Sequence, residues 1–481
     1  MQTLLEKLTA YGASDHYGFH MPGHKRQLDL MEGISPYQID ITEIDGFDDL
    51  HHAEGILKEA QEQAAKVYHA EETHFLVNGS TAGILSAILG STRRGDQILV
   101  ARNCHKSVYH AIEMQELKPV YLYPGFDPEA QLNTEISAED VRAALKRHPG
   151  VRAVVIVSPT YDGIVSDVES IAEAVHVHDI PLIVDEAHGA HFGFHPYFPE
   201  NANQKGADLV IHSLHKTLPA LTQTALLHMN GERADRRRVR KYLHMLQTSS
   251  PSYVLMASAD ACIHLLREEP EQVFEPYVRC LKETREKLCG LKNLRLAKVE
   301  GMDPSKLVIS VKDAGISSRE LYDRLLQDWH LQPEMRAGTY VLLMTTLGDT
   351  PEGMERLGQA LCAIDAEAEG AKGEEPKLEE AGLSTEMQPG KFPRQEQVFS
   401  PAEAEALQGS EPEHIASVSW EESPGEISLE YAYLYPPGCP VIVPGEKVSQ
   451  EAADMLQWYQ AQGFSVEGLR EDSRIEVYRH G

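Results

Sequence analysis

The chain has 481 residues, a formal net charge of −30, and 42% hydrophobic against 25% charged residues. That length accommodates two or three domains, and the composition is that of an ordinary globular protein. The acidic balance argues against a nucleic-acid partner, which would need clustered Lys and Arg for its phosphates. No apolar stretch nears the roughly 20 residues of a membrane span, so no membrane partner is expected. The start, Met1-Gln2-Thr3-Leu4-Leu5-Glu6-Lys7, lacks the basic and apolar regions of an export signal, and the six cysteines form no Cys-x-x-Cys pair. Reduced thiols in the cytoplasm, and no zinc ribbon, are the expectation.

Taken in order, residues 1–53 read as an arm. It holds an amphipathic start (Leu4, Leu5, Leu8), the turn-rich His20-Met21-Pro22-Gly23-His24-Lys25 and the loop Asp45–His51. Residues 54–69 predict a helix with Ile56, Ala60, Ala64 and Val67 on its apolar face. Strand and helix signals then alternate. Strands are predicted at 97–101, 119–123, 154–157 and 181–184, a helix capped by Ser137 with Val141, Ala144 and Leu145 inward, and another over 167–179. The run Val154-Val155-Ile156-Val157 is too uniformly apolar for a half-exposed strand and suits a parallel sheet covered on both faces. This alternation predicts a doubly wound α/β domain over 54–293. His176 and His178 read as solvent-facing, and no metal is assigned. The arginines from Arg233 to Arg240 read as a solvated helix face or a subunit contact, and 247–253 as a polar loop whose hydroxyls lack a local partner. A smaller α/β unit is expected over 294–365. An acidic, Gly- and Pro-containing linker follows at 366–396, then a C-terminal α+β domain at 397–481.

Three stretches carry chemistry. Lys216, in Ser213-Leu214-His215-Lys216, lies between two apolar runs, an odd place for a surface cation. A lysine there suits a Schiff base, although a solvated turn would also explain it. Asp185-Glu186-Ala187-His188 ends an apolar strand, the position at which open α/β sheets bind ligands; a cap or a backbone contact is the simpler use of such an Asp. Asn78-Gly79-Ser80-Thr81 precedes a small-residue helix whose N-terminus could meet a phosphate, although Ser and Thr are also ordinary caps.

In this order the three stretches resemble pyridoxal-phosphate enzymes of the aspartate aminotransferase fold, fold type I. Together with His20–Lys25, Tyr435-Pro436-Pro437-Gly438 and Pro444-Gly445-Glu446 they resemble the ornithine/lysine/arginine decarboxylase family in its short bacterial form, over nearly the whole chain. The resemblance implies pyridoxal 5'-phosphate as cofactor and a basic amino acid as substrate, arginine first and lysine or ornithine next. It also implies a homodimer or higher homo-oligomer in which the 247–253 loop reaches the neighbouring site. By the same resemblance Lys216 carries the cofactor, Asp185 faces the pyridine nitrogen, and His105 stacks on the ring. Gly79, Ser80, Thr81, Ser213 and His215 hold the phosphate, and His188 lies beside the ring, with Lys216 or a histidine returning a proton to the substrate. Glu446, with Glu430 second, is expected to take the distal cation of the substrate; capping the helix that follows is the equal alternative for Glu446. A different fold-type-I enzyme (an aminotransferase or carbon–carbon lyase) and a silent regulatory homologue are the competing readings. The C-terminal motifs speak against the first, and retention of both Lys216 and Asp185 against the second.

Overall fold

The computed structural model describes residues 13–26, 36–368, 389–435 and 438–479. The leucines at 4, 5 and 8, most of the acidic linker, and Pro436 and Pro437 lie outside the described residues.

The centre is a seven-stranded sheet built from β1 (Glu72–Leu76), β2 (Gln97–Ala101), β3 (Lys118–Leu122), β4 (Val151–Val157), β5 (Leu182–Asp185), β6 (Leu209–Ser213) and β7 (Ala225–Met229). Its order is β1-β7-β6-β5-β4-β2-β3, and β7 alone runs antiparallel to its neighbours. β5, β6 and β7 are buried along their whole length, as strands covered by helices on both faces must be. Helices α1 (Ile56–Val67), α2 (Gly79–Ser91), α3 (Lys106–Met114), α4 (Ala138–Arg147) and α5 (Val168–His176) follow the arm and the first strands. After β7 come α6 (Arg236–Leu246), α7 (Tyr253–Arg267) and α8 (Pro270–Leu288).

α4 buries Val141, Ala144 and Leu145 behind the Ser137 cap, as its spacing predicts. α1 does not follow its prediction. Leu57, Gln61, Ala64 and Ala65 face inward while Ile56 is 54% exposed, so the buried face is rotated by one residue. Gln61 explains the rotation: its Oε1 accepts from Phe75 N at 3.0 Å, a satisfied polar group that a hydrophobicity pattern misses. His176 is not solvent-facing either, since its Nε2 lies 2.8 Å from Asp208 Oδ2. In the 247–253 loop, Ser252 caps α7, so one of its hydroxyls does have a local partner, and Gln247 Oε1 accepts from the distant Val77 N at 2.8 Å. Arg236 and Arg240 of the cationic helix pair with Glu71 and Glu72.

A smaller antiparallel sheet follows, made of β8 (Arg295–Leu296), β9 (Lys306–Ser310), β10 (Met335–Arg336) and β11 (Tyr340–Met344), with α9 (Ser318–Gln327) and α10 (Pro351–Ala368) beside it. The arm joins this unit: Tyr17–Phe19 pairs in parallel with Leu331–Pro333. α10 runs three residues into the predicted linker, and residues 389–395 dock on the major domain through Asn133 Nδ2 donating to Gly390 O at 2.7 Å. The C-terminal domain holds a five-stranded and a three-stranded sheet with helices Pro401–Ser410 and Gln450–Ala461.

Candidate active site

The C-terminal ends of β1, β2, β4, β5 and β6 open on one side of the sheet, and the sequence places its polar residues there. A cavity of about 390 Å³ lies above those ends. It is lined by Gly79, Ser80, Thr81, His105, Asp185, His188, Ser213, His215 and Lys216, and Met21 and Pro22 of the arm close one side. The structure therefore brings together nine residues from four separate segments of the chain.

Lys216 sits in a single helical turn, Leu214–Thr217, just past the end of β6. Burial pushes its amine below the ordinary lysine range, opposed by the nearby carboxylate of Asp185. Asp185 closes β5, opposite Val157 on one side and Ile211 on the other, and accepts from Ala187 N at 3.1 Å. Burial raises its carboxyl above the usual range, and Lys216 opposes that rise. A buried acid in this state favours a cationic partner.

The N-terminus of α2 has the features of an anion cradle. Asn78, its N-cap, makes no side-chain cap bond, so the first-turn N–H groups are left for another acceptor. Gly79 has φ +71°, a conformation glycine adopts without strain. Ser80 Oγ is hydrogen-bonded to Ser213 Oγ, which joins two hydroxyls from different strand ends. His215 is fixed by Nδ1 against Thr224 O at 2.9 Å.

His105 caps α3: its Nδ1 accepts from Ser107 N at 3.2 Å. Burial lowers its pKa to about 3, so the ring is neutral near pH 7 and offers an uncharged face to the cavity. His188 has a lysine on each ring nitrogen, Lys216 Nζ at 2.9 Å from Nε2 and Lys306 Nζ at 3.3 Å from Nδ1. Its ring lies 4.5 Å from that of Tyr161, whose hydroxyl donates to Glu334. Sequence reading missed Lys306. The signal was present, since Lys306 directly precedes the apolar run Leu307-Val308-Ile309 of β9 and is fully buried.

Two expected residues are elsewhere. Glu446 does not line the cavity. It is fully buried and held by Arg102, with Nη2 to Oε2 at 2.9 Å and Nε to Oε1 at 3.2 Å, and it also accepts from Val443 N. Nor does it cap the following helix, whose N-cap is Ser449. Glu430 accepts from the backbone N–H of Arg470 and of Glu476, each at 2.9 Å, within the C-terminal domain. Both carboxylates are engaged by protein partners, and neither lines the cavity.

A model of the Orn/Lys/Arg decarboxylase major domain matches residues 2–308, and one of the C-terminal domain of that family matches residues 385–467. The chain is 36% identical to YaaO of Bacillus subtilis over 94% of this chain and 93% of that one. It is 31% identical to the arginine decarboxylase of Bacillus subtilis over 96% of this chain and 94% of that one. The constitutive lysine decarboxylase of Escherichia coli, also 31% identical, aligns with only 44% of this chain and 31% of its own length. Among solved structures, the lysine decarboxylase LdcF of Francisella novicida superposes with a TM-score of 0.76 at 19% identity, covering 98% of this chain and 80% of that one. An alanine–glyoxylate aminotransferase from Nostoc gives 0.57 at 17% identity over 73% of this chain and 96% of that one, which extends the likeness in fold to aminotransferases. With both family domains matched in sequence order on one polypeptide, the chain belongs to the Orn/Lys/Arg decarboxylase family.

Proposed function

We propose that this basic amino-acid decarboxylase uses pyridoxal 5'-phosphate and acts on arginine, releasing carbon dioxide and the corresponding amine. The observation that carries the cofactor reading is the pairing of a half-buried Lys216, its amine shifted down, with the buried acid Asp185 in one cavity. The donor set fits the group at three points. Ser80, Thr81, Ser213 and the uncapped α2 N-terminus suit its phosphate, Asp185 suits a protonated ring nitrogen, and neutral His105 suits a stacked ring. When bound, the cofactor supplies an electron sink for the pair left behind as carbon dioxide departs.

The chain supplies position and protons. Lys216, whose amine burial shifts below the ordinary lysine range, is the nucleophilic amine. His188 orients it through the 2.9 Å contact, and the Lys216–His188 pair delivers the proton that the α-carbon takes up after carbon dioxide leaves. Val157, Ala187 and Ile84 give the cavity apolar wall, which disfavours the substrate's carboxylate and favours its neutral product.

The choice of arginine is supported by relatives bearing that name, which align over nearly the full chain, whereas those named lysine decarboxylase align over about half. Cytoplasmic operation as a homodimer or larger homo-oligomer belongs to the same reading. Exposed apolar Ile44, Phe47 and Ile56, clustered near the start of α1, support the assembly. Light scattering should then give at least twice the chain mass, and a stable active monomer would refute it.

The direct test supplies purified protein with the cofactor and each of arginine, lysine and ornithine, and reads carbon dioxide and amine. Arginine should be turned over fastest. Borohydride treatment of the loaded protein should fix the cofactor to Lys216 and to no other lysine. Lys216→Ala should abolish turnover, and Asp185→Asn should lower kcat by on the order of 10²–10³, as for loss of a preorganised charge. Protein that takes up no pyridoxal phosphate would end this reading.

A further inference from the structure

With Glu446 and Glu430 engaged elsewhere, the distal cation of a basic substrate still needs a counter-charge, because an unpaired charge in a desolvated pocket is costly. The structure offers a place for it. A second cavity, of about 110 Å³, lies against the first, and the two share Asn103, Tyr161 and Cys439 as a common wall. It sits among the loop after β4, residues 131–133, the Met335–Tyr340 region of the small domain, the 389–393 segment, and Tyr459 and Phe464 of the C-terminal domain. Among the described residues lining the two cavities, the acids are Asp185 and Asp162 alone. Asp185 lies beside Lys216 at the reacting end. Asp162 lies in the second cavity, one residue beyond the tyrosine whose ring packs on His188.

We propose that Asp162 receives the distal cation of the substrate and that the second cavity is the side-chain subsite of the decarboxylase. This rests on the basic amino-acid reading given above. Tyr340 OH donates to Asp162 Oδ1 at 2.6 Å and so fixes the carboxylate. Unlike fully buried Glu446, Asp162 keeps surface open to the cavity although protein encloses it. Burial raises its carboxyl, with Tyr340 and Lys306 opposing, so an arriving cation would lower the cost of ionising it. Tyr340 and Tyr459 give aromatic wall of the kind on which a guanidinium stacks. Two cations also line this cavity. Arg336 is committed, its guanidinium donating to Gly463 O at 2.9 Å and lying 3.8 Å from the Phe464 ring centroid, and Lys391 is exposed to solvent. Gly163, at φ +97°, lets the Asp162 loop close: a Cβ there would meet Lys306 Cγ at 2.6 Å.

The test uses the cofactor-loaded enzyme and two probes of one shape, cationic butylguanidine and neutral butylurea, as inhibitors of turnover. Wild type should bind the guanidine more tightly. Asp162→Asn should lower kcat/KM for arginine at least 30-fold and reduce the guanidine-over-urea preference at least tenfold, with the visible cofactor band unchanged. A general loss of fit would weaken both probes alike, so a preference unchanged within threefold overturns the proposal. Should Asp162→Asn fail to fold, Tyr340→Phe serves. It frees the carboxylate, and a fall in the guanidine preference of several-fold supports the assignment while equal effects on both probes sink it. Wild type inactive on every basic amino acid would instead refute the parent reading.

Discussion

His188 constrains the charges around it by counting donors. A neutral imidazole carries one N–H and one lone pair, whereas an ammonium can only donate. With Lys216 on Nε2 and Lys306 on Nδ1, the nitrogen bearing the hydrogen must face an uncharged amine, so one of the two lysines is neutral in this arrangement. Burial agrees, lowering Lys306 to about 8 and moving Lys216 in the same direction. His105 sets a pH dependence. Its folded pKa is depressed from 6.5 to about 3, so below pH 6.5 the unfolded chain takes up a proton that the folded chain refuses. Its stabilising contribution is complete above 6.5 and is lost as the pH falls towards 3. Between pH 6.5 and 5.5, urea unfolding should show His105→Gln gaining about 1 kcal/mol on wild type, and a constant gap would contradict the depressed value. At this scale the polar residues that follow apolar strands were legible, and the structure brings Lys216 and Asp185 into one cavity. The sequence misled at Glu446, because no pattern in Pro444-Gly445-Glu446 reveals that the carboxylate turns towards Arg102, 344 residues away.

α2 shows how an element can be placed by small residues. It is buried nearly all round, and Gly83 and Gly90 mark where its neighbours come closest. A Cβ at Gly90 would lie 2.6–2.8 Å from Val239 of α6, including its backbone N and Cα, so relief requires the helices to part. Gly90→Ala should therefore destabilise the protein by about 1–3 kcal/mol despite its better helix propensity. Chemical denaturation measures this, and a neutral or stabilised variant would show that α6 can shift freely. Because α2 starts at the anion cradle, cofactor affinity should fall with it. The parallel strands were legible because residues covered on two faces must be apolar throughout, as in Val154–Val157. α1 was displaced by one position because Gln61 buries through a hydrogen bond, and the short C-terminal strands, of two to five residues, hold too few positions to show a period.

The domains are joined by more than the chain. Arg102, just past the end of β2, is wholly buried, and besides Glu446 it donates to Val441 O at 3.1 Å and to Tyr109 OH at 3.0 Å. Removing one partner of such a pair leaves a buried charge uncompensated, at a cost of about 3–5 kcal/mol. Arg102→Met and Glu446→Gln should each destabilise the protein on that scale, and the double variant by clearly less than their sum. Additive losses would mean that the two residues act separately. Substrate preference should change little in these variants, which separates this structural pair from the proposed subsite at Asp162.

The same pair bears on how freely the C-terminal domain can be transplanted between relatives. The guanidinium belongs to the major domain and its counter-ion to the C-terminal one, so each half carries a charge that only the other neutralises. A graft from a relative would be accepted only where the incoming segment brings an acid at the position of Glu446. The two halves are thus tied through one charge pair: a change at either residue leaves the charge in the other half without its partner.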